Sequence, residues 1–266
     1  MLPIDALSGE TARSARAVLT DIDDTLTEHG RLPPEAHAAL RDLRAAGLVV
    51  IPVTGRPAGW CDLIARQWYV DGVVGENGAL WFRYDEPRRK MVQIYARNAG
   101  QRRLDRRRLD QIRDEILAQV PGAALASDQD YRVSDLAIDY CEDVEPLPPR
   151  DVERIVEIFR THGATAKVSS IHVNGWLGDH DKLTMSRRAL SETFAIDADV
   201  DRGVVIFVGD SPNDAPMFAH FPHSVGVANI RGFAGAIEHL PRYVTAAPSA
   251  WGFVEFANRL LALRRG

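Results

Sequence analysis

Residues 17–27 read AVLTDIDDTLT, an apolar run that ends directly in the carboxylates of Asp21, Asp23 and Asp24. The run is typical of a buried strand, and open α/β sheets bind ligands at the carboxyl ends of their strands. Asp21 and Asp23 are two residues apart, so both side chains would point the same way if the chain stays extended. Such a pair can hold a hard dication, or one carboxylate can act as nucleophile while the other exchanges protons. A turn or a helix cap explains this stretch alone equally well.

Helices and strands alternate on both sides of the middle of the chain. Before it, the pattern predicts helices at 34–46 and 57–68 and strands at 48–54 and 70–74. After it, the pattern predicts helices at 183–195, 213–220, 232–239 and 250–264, with strands at 204–208, 224–227 and 244–245. Such alternation is the signature of a parallel sheet covered by helices. We therefore predict an α/β protein with a Rossmann-like parallel sheet and helices on both faces.

The middle of the chain has a different pattern. Its predicted elements are strands at 79–84, 91–96, 123–125, 136–140 and 166–176 and helices at 101–120 and 149–162. Strands and helices without strict alternation indicate a small α+β unit inserted into the first domain. We place this insert at residues 82–181, between the two parts of the core at 1–81 and 182–266.

Composition narrows the classes of protein that the chain can represent. Hydrophobic residues make up 45% and charged residues 26%, which excludes a disordered or fibrous chain. The formal charge of −5 argues against nucleic acid as the main partner. No apolar run approaches the roughly 18 residues that a membrane helix needs, and no secretory signal is visible. Two isolated cysteines are typical of a reduced compartment, so we expect a cytoplasmic protein without a membrane partner.

Two further polar groups fall where core strands end, and a third lies where the insert returns to the core. Asp210 and Asp214 follow the apolar strand 204–208, and in a parallel sheet they would meet the first acidic pair at one edge. Three or four carboxylates are the usual composition of a magnesium site that takes a substrate phosphate, although a helix start also fits this stretch. Thr54-Gly55-Arg56 offers phosphate-binding groups, but alone it is better explained as a strand-to-helix turn. Lys182 could neutralise a nucleophile and a phosphate together.

Taken in chain order, DIDDTLT, PVTGR, Lys182 and GDSPNDAPMF resemble the four motifs of the haloacid dehalogenase-like phosphatase superfamily. The resemblance covers residues 17–81 and 182–246. The insert lies where type IIB members carry their cap, and GENGAL at 75–80 is similar to the phrase that precedes it. By its size and pattern, the insert resembles the C2B cap of the sucrose-phosphatase, mannosyl-3-phosphoglycerate phosphatase and phosphomannomutase groups. One departure is Leu183, where many type IIB members have glycine.

The resemblance implies a role for each motif residue. Asp21 would be the nucleophile that takes the phosphoryl group, and Asp23 the acid and base. Thr54 and Lys182 would hold the phosphate. Mg²⁺ would be bound by Asp21, the Asp23 backbone carbonyl and Asp210, with Asp214 close by. The candidate substrate-binding residues are Gly55, Arg56, Asn77, His172, Asn174 and Asn213.

The expected function is a magnesium-dependent phosphatase that acts on a small phosphorylated metabolite, a sugar phosphate or a glycosyl-phosphoglycerate. A phosphomutase is the main alternative, because phosphomannomutases share the first motif. A non-catalytic binding protein is a third, but it would be expected to have lost one of the four central motif residues. In the cap, His172 and Asn174 alternate with apolar residues, so they face either the cleft or solvent.

Overall fold

A computed structural model describes residues 1–169, 171–235 and 237–266 of the chain. The helices are α1 Gly9–Ser14, α2 Pro34–Ala45, α3 Ala58–Gln67, α4 Ala99–Gln119, α5 Pro149–Thr161, α6 Lys182–Phe194, α7 Ala215–His220 and α8 Ser249–Arg265. The strands are β1 Leu2–Pro3, β2 Ala17–Thr20, β3 Val49–Pro52, β4 Val73–Gly75, β5 Leu80–Asp85, β6 Lys90–Tyr95, β7 Ala124–Leu125, β8 Asp135–Asp139, β9 Thr165–Val168, β10 His172–Trp176, β11 Val205–Gly209, β12 His223–Gly226 and β13 Tyr243–Val244.

The main sheet has six parallel strands in the order β1-β13-β12-β11-β2-β3. Successive side chains of its strands enter two different hydrophobic clusters: Val18 packs with α2, α3 and α8, whereas Leu19 packs with α6 and α7. Helices therefore cover both faces, which is why β2 and β11 are buried along their whole length. The predicted α/β fold is confirmed.

The hairpin β5–β6 belongs to the packing of the main sheet. It pairs with β4, and Val74 of β4 forms a parallel bridge with Val53 at the end of β3. Trp81 enters the cluster on one side of the sheet and Phe82 the cluster on the other. The division of the chain into core and insert stays a prediction, but a boundary at 81/82 cuts through a strand whose side chains are buried in the core. On this packing, the insert begins after Ala96, whose N–H donates to the Ala79 carbonyl.

The insert is an antiparallel sheet, β7-β8-β10-β9, with α4 and α5 on one face. Alternate residues such as Ile138 and Val173 are buried against these helices in a third hydrophobic cluster. His172 and Asn174 lie on the opposite face of the same sheet. The single strand predicted at 166–176 is two strands, β9 and β10, and Ser170 between them lies outside the described residues. We refer to residues 97–181 as the cap.

The C-terminal part of the core departs from prediction at one element. The described residues of the predicted helix 232–239 form no α-helix, and a 3₁₀ segment, Ala228–Phe233, overlaps only its first two residues. Gly232 and Gly235 fall within that predicted helix, and glycine is a poor helix former. Ala236 lies outside the described residues. Within the ranges that the structure describes, no helix is long and apolar enough to cross a membrane.

Candidate active site

The motif residues meet at the carboxyl edge of the main sheet. Asp21 follows β2, Thr54 follows β3 and Asp210 follows β11, as the parallel order of these strands requires. Asp21 also donates its backbone N–H to the Val208 carbonyl (2.9 Å), which prolongs the pairing of β2 with β11. A cleft of about 730 Å³ opens between this edge and the cap.

Asp21, Asp210 and Asp214 form a buried cluster whose carboxylate oxygens lie within 4.8 Å of one another. The loop after β11 turns back sharply, so that the Asp210 N–H donates to Asp214 Oδ2 (3.2 Å). Glycine is required at position 209, because a Cβ there would collide with the Asp214 carboxylate. The local sequence GDSPND thus places two acidic groups beside Asp21.

Lys182 enters this cluster from the first turn of α6. Its Nζ donates to Asp21 Oδ1 (2.6 Å) and to Asp214 Oδ1 (2.8 Å). Asp181 caps the helix by accepting the Thr184 N–H (2.6 Å). The chain at 181 packs directly on Gly78, where a side chain would collide with the Asp181 carbonyl. Burial alone would lower the pKa of Lys182, but the two carboxylates outweigh burial and raise it, so the ammonium is charged.

One ammonium does not balance three carboxylates in a buried site. Burial raises the pKa of Asp21 to about 7, with Lys182 opposing the shift and Asp214 adding to it. Burial, followed by the charges of Asp21 and Asp214, raises the pKa of Asp210 well above its usual value. A divalent cation would relieve this excess of negative charge, and clustered carboxylate oxygens suit Mg²⁺. The residues present therefore fit the cofactor that the motifs imply.

Asn229 supports the cluster and was missed by the sequence analysis. Its Nδ2 donates to Asp210 Oδ2 (3.0 Å) and to the Asp24 carbonyl (3.2 Å). Thr25 donates from its hydroxyl to the other oxygen of Asp210 (3.4 Å). The other groups were identified as polar residues that follow a core strand. Asn229 fits the same description, because it follows β12 after two small or apolar residues.

Asp23 does not join this cluster. Strand β2 ends at Thr20 and the chain turns at 23–26, so the extended conformation that would point Asp21 and Asp23 the same way does not continue through Asp23. The Asp23 carboxylate instead accepts from Arg56 Nη2 (2.8 Å) and Nε (3.0 Å) while lining the cleft. Arg56, predicted to contact substrate, lines the cleft as well but is held in this ion pair.

Thr54 is fully buried beside the cleft. Its hydroxyl accepts the backbone N–H of Arg56 (3.0 Å), and its carbonyl accepts the N–H of Asn77 (3.1 Å). The Asn77 side chain packs on Gly55, where a Cβ would come within 3.2 Å of it. Gly55, Asn77 and Asn213 all line the cleft.

His172 and Asn174 face the cleft rather than solvent. Both are almost fully buried, with 2% and 5% of their surface exposed, and both line the cleft opposite Asp21. Asn174 donates to Asp135 Oδ2 (3.3 Å). Burial, with Arg132 adding, lowers the pKa of His172 to about 4, so the imidazole is neutral at pH 7. These two residues therefore present uncharged hydrogen-bonding groups to the cleft.

Comparison with known proteins agrees with the motifs. Residues 18–101, which contain the Asp21 and Thr54 motifs, match the model of the haloacid dehalogenase-like hydrolase family. Over this stretch, about a third of its length, the chain is similar to haloacid dehalogenase-like hydrolases. The resemblance inferred from the sequence is thereby confirmed. No curated protein matches this chain in a search by sequence.

Solved structures share the fold of this protein over nearly their whole length. A protein of Thermoplasma acidophilum has a TM-score of 0.71 at 19% identity, covering 94% of this chain and 99% of that one. The sucrose-phosphatase of Synechocystis sp. PCC6803, solved with sucrose and phosphate, has a TM-score of 0.62 at 15% identity, covering 92% and 97%. A subclass IIB sugar phosphatase of the superfamily has a TM-score of 0.62 at 15% identity, covering 92% and 96%. At these identities the likeness establishes the fold.

Proposed function

We propose that this protein is a phosphatase that releases inorganic phosphate from the phosphate monoester of a small, uncharged sugar. The observation that carries the proposal is the contact of Lys182 with both Asp21 and Asp214 in a buried cluster of three carboxylates. This arrangement combines a nucleophile, a cation for phosphate and a fitting magnesium site, which phosphoryl transfer requires. Solved structures of the same fold include a sucrose-phosphatase and a sugar phosphatase, which supports the substrate class.

The chemistry assigned to the chain has two steps. First, an Asp21 carboxylate oxygen attacks the phosphorus, the bond from phosphorus to the sugar oxygen breaks, and Asp23 gives its proton to that oxygen. Second, a water attacks the aspartyl phosphate, Asp23 takes the proton of the water, and the Asp21 carboxylate is restored as phosphate leaves. Asp23 suits proton exchange because it lines the cleft outside the three-carboxylate cluster.

The other groups bind and orient the substrate. Lys182 would pair with the phosphate oxygens while keeping Asp21 in place, and Thr54 would contribute its hydroxyl. Asp21, Asp210 and Asp214 would hold Mg²⁺, with the Asp23 carbonyl as the further ligand that the motif implies. When bound, Mg²⁺ supplies positive charge that offsets the charge of the phosphoryl group.

The charges of the cleft favour a neutral leaving group. Among the described residues that line it, the cationic side chains are Arg56 and Arg132. Each is already paired with carboxylates: Arg56 with Asp23, and Arg132 with Asp128 and Asp135. Free cationic groups for a second phosphate or a carboxylate are therefore lacking in this lining, while the amides and the neutral imidazole suit hydroxyl groups. This observation favours a phosphatase for sugar phosphates over a phosphomutase or a glycosyl-phosphoglycerate phosphatase.

A phosphate-release screen with Mg²⁺ tests the proposal. The panel should compare monophosphates of uncharged sugars with sugar bisphosphates and phosphorylated sugar acids. Asp21→Asn serves as the matched inactive variant. We expect wild type to release phosphate from the monophosphate of an uncharged sugar at a rate roughly 10³-fold or more above the rate of Asp21→Asn. Isomerisation of a sugar phosphate without phosphate release, dependent on a bisphosphate activator, would establish the mutase instead. The cytoplasmic location stays a prediction from the sequence.

A further inference from the structure

Glu76 is a buried carboxylate at the junction of core and cap that the proposed chemistry does not use. Its surface is fully covered, and both oxygens accept backbone N–H groups. Oε1 accepts from Ala58 at the start of α3 (2.9 Å) and from Val133 (2.9 Å). Oε2 accepts from Ser134 (2.6 Å) and Asp135 (3.2 Å). One side chain of the core thus binds three successive amides of the cap.

The turn that carries Glu76 also contacts the phosphate-holding part of the site. Glu76, Asn77 and Gly78 all have positive φ angles, of 44°, 53° and 100°. A non-glycine residue in this conformation is strained and persists where its surroundings require it. As described above, Asn77 packs on Gly55 and Gly78 packs on the segment that leads into Lys182. The same three-residue turn therefore meets the Thr54 segment, the Lys182 helix and the cap.

The cap loop bound by Glu76 is connected to the cleft. Arg132, next to the bound amides, donates to the Gly55 carbonyl (3.0 Å) and to Asp135 (3.1 Å). Asp135 in turn accepts from Asn174, which lines the cleft. A displacement of the loop would therefore displace a polar group that faces the substrate.

We propose that Glu76 is a positioning residue that fastens the cap loop Val133–Asp135 to the core and so sets the place of Asn174 over Asp21. The cap is joined to the core by two chain connections, and the Glu76 carboxylate adds a noncovalent attachment beside the hydrogen bond from Arg132 to Gly55. Its effect on turnover rests on the proposed phosphatase function, whereas its effect on the loop does not.

The test uses Glu76→Gln in the full chain. The glutamine has the same size, but its NH₂ group would face two N–H donors that the carboxylate now accepts. Asp71→Asn is the matched control: Asp71 accepts the Val50 N–H (2.8 Å) and pairs with Arg44, near the end of the sheet opposite the cleft. Amide hydrogen exchange of 133–135 is measured in wild type and both variants, together with the kinetics on a sugar phosphate and on a small aryl phosphate.

In wild type, the amides of 133–135 should exchange about as slowly as those of the core strands. In Glu76→Gln they should exchange at least about 10-fold faster, the scale of one lost hydrogen bond, while those of β2 stay protected. KM for the sugar phosphate should rise by about 10-fold, and kcat for the aryl phosphate should change by less than about 3-fold, because the aryl group does not reach the cap. Asp71→Asn should produce neither change.

Fast exchange of these amides in wild type would overturn the proposal, even if the variant fails to fold. Unchanged exchange in Glu76→Gln, or an equal loss on both substrates, would overturn it as well. If wild type releases phosphate from no member of the panel, the proposed function fails, and the exchange measurement still decides the attachment.

Discussion

Replacing Asp21 by Asn should stabilise the metal-free protein while it removes turnover. Burial raises the pKa of Asp21 from 3.8 to about 7 in the folded state. A carboxyl with a raised pKa stabilises the fold only while it stays protonated. The stabilising contribution of the protonated Asp21 carboxyl is therefore complete below pH 3.8 and decreases as the pH rises from 3.8 to 7. Above pH 7, the ionised carboxylate lowers the free energy of unfolding. Asparagine is close in size and has no charge to bury.

The magnitude follows from the net shift, which already includes the opposing contact with Lys182 Nζ (2.6 Å). A shift of about 3 pKa units corresponds to about 4 kcal/mol of lost free energy of unfolding at pH 8, at roughly 1.4 kcal/mol per unit. In the variant, Lys182 keeps its second partner, Asp214. The expected gain is therefore up to about 4 kcal/mol, or a rise in Tm of up to roughly 12 °C for a chain of this size.

Thermal and urea unfolding in EDTA at pH 5 and pH 8 measure this difference. We expect the variant to exceed wild type at pH 8 and the difference to shrink at pH 5, where Asp21 of wild type is protonated. Added Mg²⁺ should stabilise wild type more than the variant, because asparagine removes one ligand charge. A variant less stable than wild type in EDTA at pH 8, or a difference that is equal at both pH values, would refute the reasoning.

Three further predictions concern the proposed chemistry. Asp23→Asn should lower the rate of hydrolysis of a sugar phosphate at least about 10-fold more than that of an activated aryl phosphate, whose leaving group needs little protonation. Steady-state rates on both substrates measure this difference, and an equal loss on both would argue against Asp23 as the acid. EDTA should abolish phosphate release, Mg²⁺ should restore it, and Asp210→Asn should shift the Mg²⁺ titration to at least about 10-fold higher concentration; full activity in EDTA would exclude the metal site. His172→Ala and Asn174→Ala should each lower kcat/KM for the sugar phosphate by about 10-fold and leave kcat/KM for the aryl phosphate nearly unchanged. If neither value changes, the residues that determine specificity lie elsewhere on the cap.

The strand pattern by itself determined the parallel core and the edge at which its polar groups meet. Each motif follows an apolar run, and parallel strands bring their carboxyl ends to one edge whatever the length of chain between them. Lys182 and Asp21 are 161 residues apart, yet they hydrogen-bond as the motif order implies. The alternation of polar and apolar residues along a strand likewise shows which face of the strand is polar. It does not show whether that face meets solvent or a cleft.

Tertiary structure alone decided which polar group binds which. The sequence places Asp23 and Arg56 at the same edge, but their ion pair depends on a turn after β2 and on the start of α3. The role of Glu76 is equally invisible in its local pattern, because three of its four N–H partners lie in the cap, 57–59 residues further along the chain. The sequence predicts that the insert begins at residue 82, inside β5, because the strict alternation of helices and strands is lost there, whereas Trp81 and Phe82 are both buried against the main sheet. Local periodicity reports the shape of an element and the face it buries, whereas its partner is selected by packing between elements that are distant in the chain.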